Sequence, residues 1–179
     1  MFDCILKVLC IIGVILLVCC LFCRSSNFLD VKSIVCEHLG IIKQNHVQMI
    51  GIYIIPIVFA ITICRKECVN KDILDNLNII LSILISMFFA VLSILCSINS
   101  KNNNEKYQLL LKETFTSTVF EIIICLWLLF LSFTILFIGN YQENIMQQFL
   151  SFLIYYSTMI VILNILMIIK RIKAIFDNR

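Results

Sequence analysis

The side chain with the most chemical potential is Glu121, a carboxylate inside an otherwise apolar run. Intramembrane carboxylates are costly, and they face a bundle interior, a partner or water. Glu121 sits about one turn inside its segment, so an interfacial position is the competing reading. Thr114, Thr118, Cys125, Ser132 and Gly139 share its helical face. A second polar face runs along Leu77–Ile98. There Asn78, Ser82, Ser86, Ala90, Ser93 and Ser97 fall within an arc of about 120° at 100° per residue. Small residues four apart let helices approach closely, which makes this face a packing seam. In an oligomer the same hydroxyls, facing a common axis, would line a pore. The expectation is that this face meets Glu121 and that the two form a conduction path or gate.

The ten cysteines offer less. Cys4, Cys10, Cys19, Cys20 and Cys23 lie in or beside the first apolar segment, where cysteine acts as a small apolar filler. A disulfide scaffold needs its cysteines in aqueous loops, so these are read as mainly reduced. Cys20 and Cys23 form a C-x-x-C, with Cys36 and His38 on the same membrane side. A zinc site needs a second pair at standard spacing, and none follows, so no metal ligand is assigned. Cys64 and Cys68 flank Arg65 and Lys66, and lipidation there is conceivable only in a eukaryote. No nucleophile–base constellation, H-E-x-x-H, phosphate-binding loop or G-x-G-x-x-G is present. With two histidines in the chain, the expectation is no enzyme and no cofactor.

These residues must be positioned by membrane helices. The chain is 61% hydrophobic and 14% charged, against about 25% charged in a soluble domain. Its mean hydropathy is +1.04. A span needs about 20 apolar residues. Five segments serve: Cys4–Cys23, Val47–Cys64, Leu77–Ile98, Ser117–Gly139 and Phe149–Ile169. Strands fail, because an open sheet leaves its edges unsatisfied in lipid. The first segment is slightly long for a signal peptide and lacks a small-x-small cleavage site, so it is read as an uncleaved span. The expected fold is an all-α, polytopic transmembrane bundle forming one membrane domain over residues 1–179. Pro56 kinks the second span, or forces its backbone to be re-bonded. Asn164 shares a face with Ser157 in the fifth, the pattern of an interhelical hydrogen bond. Between the first two spans, Asn27 is a plausible N-cap and Asp30 suits a first turn. Phe28, Val31, Val35, Leu39 and Ile42 recur at helical spacing, and Gly40 weakens the end. Residues 27–42 therefore read as an amphipathic helix on the membrane surface, or as a docking face for a cytosolic partner.

Lys and Arg set the orientation. With five spans, ten lie inside and four outside, and the tail 170–179, with Lys170, Arg171, Lys173 and Arg179, is cytoplasmic. The loop with Arg65, Lys66 and Lys71 then falls outside, against the rule. A four-span alternative, in which Leu77–Ile98 does not cross, scores equally well by charge. The unbroken uncharged run of that segment favours five. No basic stripe with interleaved aromatics points to nucleic acid.

The stretches Asp72–Leu84 and Leu109–Phe115, in a short chain with almost no soluble domain, resemble the small multi-span membrane subunits of bacterial anti-phage systems. Among such subunits the chain looks like that of the Kiwa system, a four-span protein of similar length. The resemblance covers most of the chain at the level of architecture, and the fifth apolar segment departs from it. It implies an oligomeric inner-membrane sensor or permeability-altering effector with a soluble partner, and it transfers no site residue. A small ion channel or transporter, and a structural membrane anchor or assembly subunit, are the competing expectations.

Overall fold

Side chains seven residues apart organise the long helices. A computed structural model describes residues 31–43, 46–98, 105–138 and 145–177. The first expected span Cys4–Cys23 lies outside the described residues, as do Asn27, Phe28, Asp30 and Gly139. All regular structure among the described residues is helical, in the order α1 (Val31–Lys43), α2 (His46–Met49), a π-helical stretch (Ile50–Ile54), α3 (Ile55–Lys66), α4 (Lys71–Ser97), α5 (Glu105–Ile138) and α6 (Ile145–Asp177). Three of them, over Lys71–Ser97, Glu105–Leu136 and Gln147–Asp177, are long and apolar enough to cross a bilayer.

In α4 the buried side chains are Leu74, Leu81, Phe88 and Leu95, with Leu77, Leu84 and Val91 half-buried between them. That 3.5-residue period keeps one seam on a neighbouring helix. In α5, Thr114, Thr118, Glu121, Cys125, Leu128, Ser132 and Ile135 follow the same alternation of four and three, and all are buried. In α6, Ile154, Val161, Ile168 and Ile175 repeat it. α5 is the central helix: α4 and α6 pack on it, α3 packs on α6, and α1 packs on α5. Outside the seams the surface is apolar, with Ile79, Ile83, Met87, Leu126, Phe133, Ile162 and Leu166 exposed. So much contiguous apolar surface suits lipid rather than water.

Polar ties mark the two ends of the bundle. At one, Asn70 caps α4 by accepting from the Ile73 amide at 2.9 Å, and Asp72 sits in the favourable first turn. There the Val69 amide donates to Ser151 Oγ at 3.1 Å. The Tyr155 hydroxyl donates to the Glu67 carbonyl at 3.3 Å. At the other end Leu95, Tyr107 and Ile175 cluster, and Arg171 pairs with Glu113 at 3.2 Å. Thus α4, α5 and α6 run alternately up and down.

Pro56 stands at the second residue of α3 and is buried. Its ring would clash with a carbonyl one turn back, and it has no N–H to give. The chain answers with the π-helical stretch Ile50–Ile54, widened by one residue per turn, and the Ile55 amide reaches back to the Ile50 carbonyl. The sequence-predicted kink at Pro56 thus takes the form of a change in hydrogen-bond register.

The amphipathic helix differs from the sequence-based expectation. Its buried side chains are Val31, His38 and Ile42, with Val35 half-buried, whereas Leu39 is 44% exposed. The covered face is therefore turned toward His38 and seated on α5. Part of the expected face is thus covered within the chain, and Leu39 stands at its exposed edge.

Candidate functional site

The Thr114–Glu121 half of the α5 seam is polar. Thr114, Ser117, Thr118 and Glu121 are all wholly buried. The threonines return their hydroxyls to their own helix, Thr114 to the Leu110 carbonyl at 2.7 Å and Thr118 to the Thr114 carbonyl at 2.9 Å. Ser117 Oγ and both Glu121 oxygens have no hydrogen-bond partner. Glu121 is eight residues beyond Glu113, whose pairing with Arg171 marks the end of the bundle. At 1.5 Å per residue it lies about 12 Å deeper. Within the bundle, the carboxyl is therefore an interior group.

Two other elements bring polar groups to it. From α6, the wholly buried Asn164 faces the carboxyl without closing a hydrogen bond of good geometry. From the π-helical stretch, the buried Tyr53 hydroxyl lies within electrostatic range of Glu121 and of Tyr156, and it too lacks a partner. The local fold explains Tyr53: the register change that accommodates Pro56 spans residues 50–54 and so sets the direction of this side chain. The carboxyl thus has a carboxamide opposite it, with a phenol in electrostatic range and a serine hydroxyl one turn away on its own helix. Such a set suits a proton, a water molecule or a hard cation. An ionised carboxylate there would need one of them, because an unpaired buried charge is strongly disfavoured.

No family model, characterised protein or solved structure matches this chain.

The α4 face does not join this site. Ser82, Ser86, Ser93 and Ser97 are exposed and Asn78 is half-buried. The seam on α5 is made by Leu74, Leu81, Phe88 and Leu95 instead, roughly a third of a turn away. Ser82 Oγ donates to the Asn78 carbonyl at 2.8 Å, Ser86 to Ser82 at 3.0 Å, and Ser97 to Ile94 at 2.7 Å. These hydroxyls are satisfied by their own helix, which lets the face lie in lipid or against another chain. Glu121 is thus brought together with Asn164, with Tyr53 in electrostatic range, and not with the serines of α4.

His38 is a further polar group, one that the sequence offers only as a metal ligand beside the C-x-x-C. It is wholly buried, stacked on Phe120 with ring centroids 3.9 Å apart and planes 16° apart. Neither ring nitrogen has a partner. Burial, with the Arg171 charge adding to it, holds the imidazole well below its usual range, at about 4. Beside it, Lys112 pairs with Glu37 at 3.0 Å on the exposed edge of α1. Among the described residues no group of three or more His, Cys, Asp or Glu side chains is placed to hold a metal ion.

Proposed function

We propose that this chain is a small integral membrane component of a bacterial defence or stress system, an oligomeric effector that alters inner-membrane permeability in response to a cytosolic partner. The observation that carries the permeability part is Glu121, a wholly buried carboxyl without a hydrogen-bond partner, deep in the α5 seam opposite Asn164. A structural anchor has no use for so costly a group, whereas a path for protons or cations does. In this reading the chain crosses five times with its C-terminus in the cytoplasm, and Glu121 faces a route that the closed bundle occludes. The exposed serine face of α4 favours association of several copies, since small hydroxyl residues permit close helix approach. The defence context rests on the architectural resemblance alone.

Inducible expression in cells loaded with a membrane-potential dye tests the reading. The wild-type chain, expressed with its genomic neighbours and triggered, is expected to depolarise the membrane. Glu121→Gln is expected to cut the rate at least tenfold at equal membrane abundance. Absence of depolarisation under any trigger would sink the permeability reading. Unchanged depolarisation in Glu121→Gln would remove Glu121 from it.

A further inference from the structure

At the Val69 end, away from Glu121, an open groove of about 380 Å³ lies between the end of α3 and the start of α6. Cys64, Arg65, Lys66, Cys68 and Gln148 are among its lining residues. Cys64 sits in the last turn of α3, and Cys68 in the coil that follows. Between them Glu67 is extended, with φ −150° and ψ 122°, so the helix stops before the second cysteine. Both cysteines are free and half-buried. The Cys64 thiol donates to the Gln148 carbonyl at 3.3 Å, and the thiol of Cys68 lies near it. Other cysteines of the described residues are placed differently: Cys125 is enclosed in the core, while Cys36 and Cys96 are exposed on separate helices.

We propose that Cys64 and Cys68 are a thiol pair that exchanges with small anionic disulfides, closing to an intramolecular disulfide. Two thiols four residues apart that line one groove and lie near each other meet the proximity requirement. Because the helix stops at Lys66 and Glu67 is extended, the separation of the two cysteines is not the fixed spacing of a helical turn. Arg65 and Lys66 make the mouth cationic, which concentrates a negatively charged reagent there. Cys64, with its S–H given to Gln148, is the slower nucleophile and acts second. The Cys68 thiolate attacks one sulfur of the disulfide RSSR, forming Cys68–S–SR and releasing RS⁻. Cys64, losing its proton to water, then attacks the Cys68 sulfur and expels the second RS⁻. Two protein thiols are oxidised, one RSSR is reduced to two RSH, and no other oxidant is required. Closure replaces the Cys64–Gln148 hydrogen bond, so oxidation loosens α3 from the start of α6.

The test uses the full chain in membrane vesicles treated with oxidised glutathione, quenched with a maleimide and digested with trypsin without reduction. Trypsin cleaves at Arg65 and Lys66, so a Cys64–Cys68 disulfide appears as two peptides joined. Expected are this linked pair in the wild type and, in Cys64→Ser, a stable glutathione adduct on Cys68. A wild-type chain in which both residues are alkylated as readily as Cys96, or in which the adduct persists without closing, would overturn the proposal. The dicationic disulfide cystamine, at equal concentration and low salt, is expected to react at least about threefold more slowly than oxidised glutathione. Arg65→Gln/Lys66→Gln is expected to abolish that preference. Equal rates for the two reagents on the wild-type chain would refute the anionic substrate class.

Discussion

Protonating His38 in its seat on Phe120 places a second cation beside Arg171 with no acceptor at either ring nitrogen. The folded chain therefore binds a proton at about 4, whereas the released side chain binds one at 6.5. The unfolded or undocked state holds more protons between those values, so docking of α1 strengthens as pH rises. Its contribution is complete above about 6.5 and is lost as pH falls toward 4, by on the order of 3 kcal/mol. Glu37 and Glu113 face the same region, each already paired with a cation, so a control is needed to separate them. His38→Phe keeps the ring stack and removes the titration. A spin-label pair at Cys36 and at Leu109→Cys, with the other cysteines changed to Ser, reads the α1–α5 distance. Between pH 7 and pH 4 the distance is expected to lengthen and broaden with His38 and to stay fixed with Phe. By contrast, Glu37→Gln breaks a pair whose side chains are 42% and 71% exposed, and it is expected to cost under about 1 kcal/mol in the same measurement.

At the scale of the element, α4 offers a matched comparison. Leu81 is 1% exposed in the seam, and Ile83, two residues on, is 56% exposed. In lipid neither gains from leaving water, so the difference between them is packing alone. Leu81→Ala leaves a cavity against α5 and is expected to cost about 2–3 kcal/mol, while Ile83→Ala exchanges one lipid contact for another and is expected to stay within about 0.5 kcal/mol. Denaturation by SDS in mixed micelles, followed by circular dichroism, measures both. The same physics explains what the sequence could and could not reveal. Helices Lys71–Ser97, Glu105–Leu136 and Gln147–Asp177 were legible as spans because length and apolarity mark them without reference to neighbours. Which face of α4 is buried was not legible, because lipid and protein core select the same side chains. The polar serines look like the inner face and in fact lie outside it, bonded to their own carbonyls. On α1 the spacing rule chose Leu39 over His38, since an imidazole is not counted as core; stacking on Phe120 reverses that choice. Glu121 was legible as an anomaly, but Tyr53 was not. Only the register change before Pro56 sets its direction, and no periodicity rule carries across that interruption.

For the whole molecule, charge and hydropathy pull in opposite directions at α4. Arg65, Lys66 and Lys71 argue that the preceding loop is cytoplasmic, and the cations after the helix argue the same for its other end. Both hold only if the helix returns to its starting side. Yet α4 is 27 residues long, about 40 Å at 1.5 Å per residue, with its first turn near Ser151 and its last near Ile175. These are the two ends of α6, itself long and apolar enough to cross. If α6 spans, an antiparallel-packed bundle carries α4 across with it. Holding α4 out of the bilayer would put Ile79, Ile80, Ile83, Met87 and Phe89 in water, and three basic side chains in one short loop are a far smaller penalty. Cys68 precedes α4 and Glu105 begins α5 beyond its far end, so the two positions report on opposite ends. In right-side-out vesicles, with all other cysteines changed to Ser, a membrane-impermeant maleimide is expected to label Cys68 and to leave Glu105→Cys unlabelled until the vesicles are opened. Labelling of both positions from the same side would establish the four-span arrangement. It would also strip Glu121 of the transmembrane setting on which its proposed role depends.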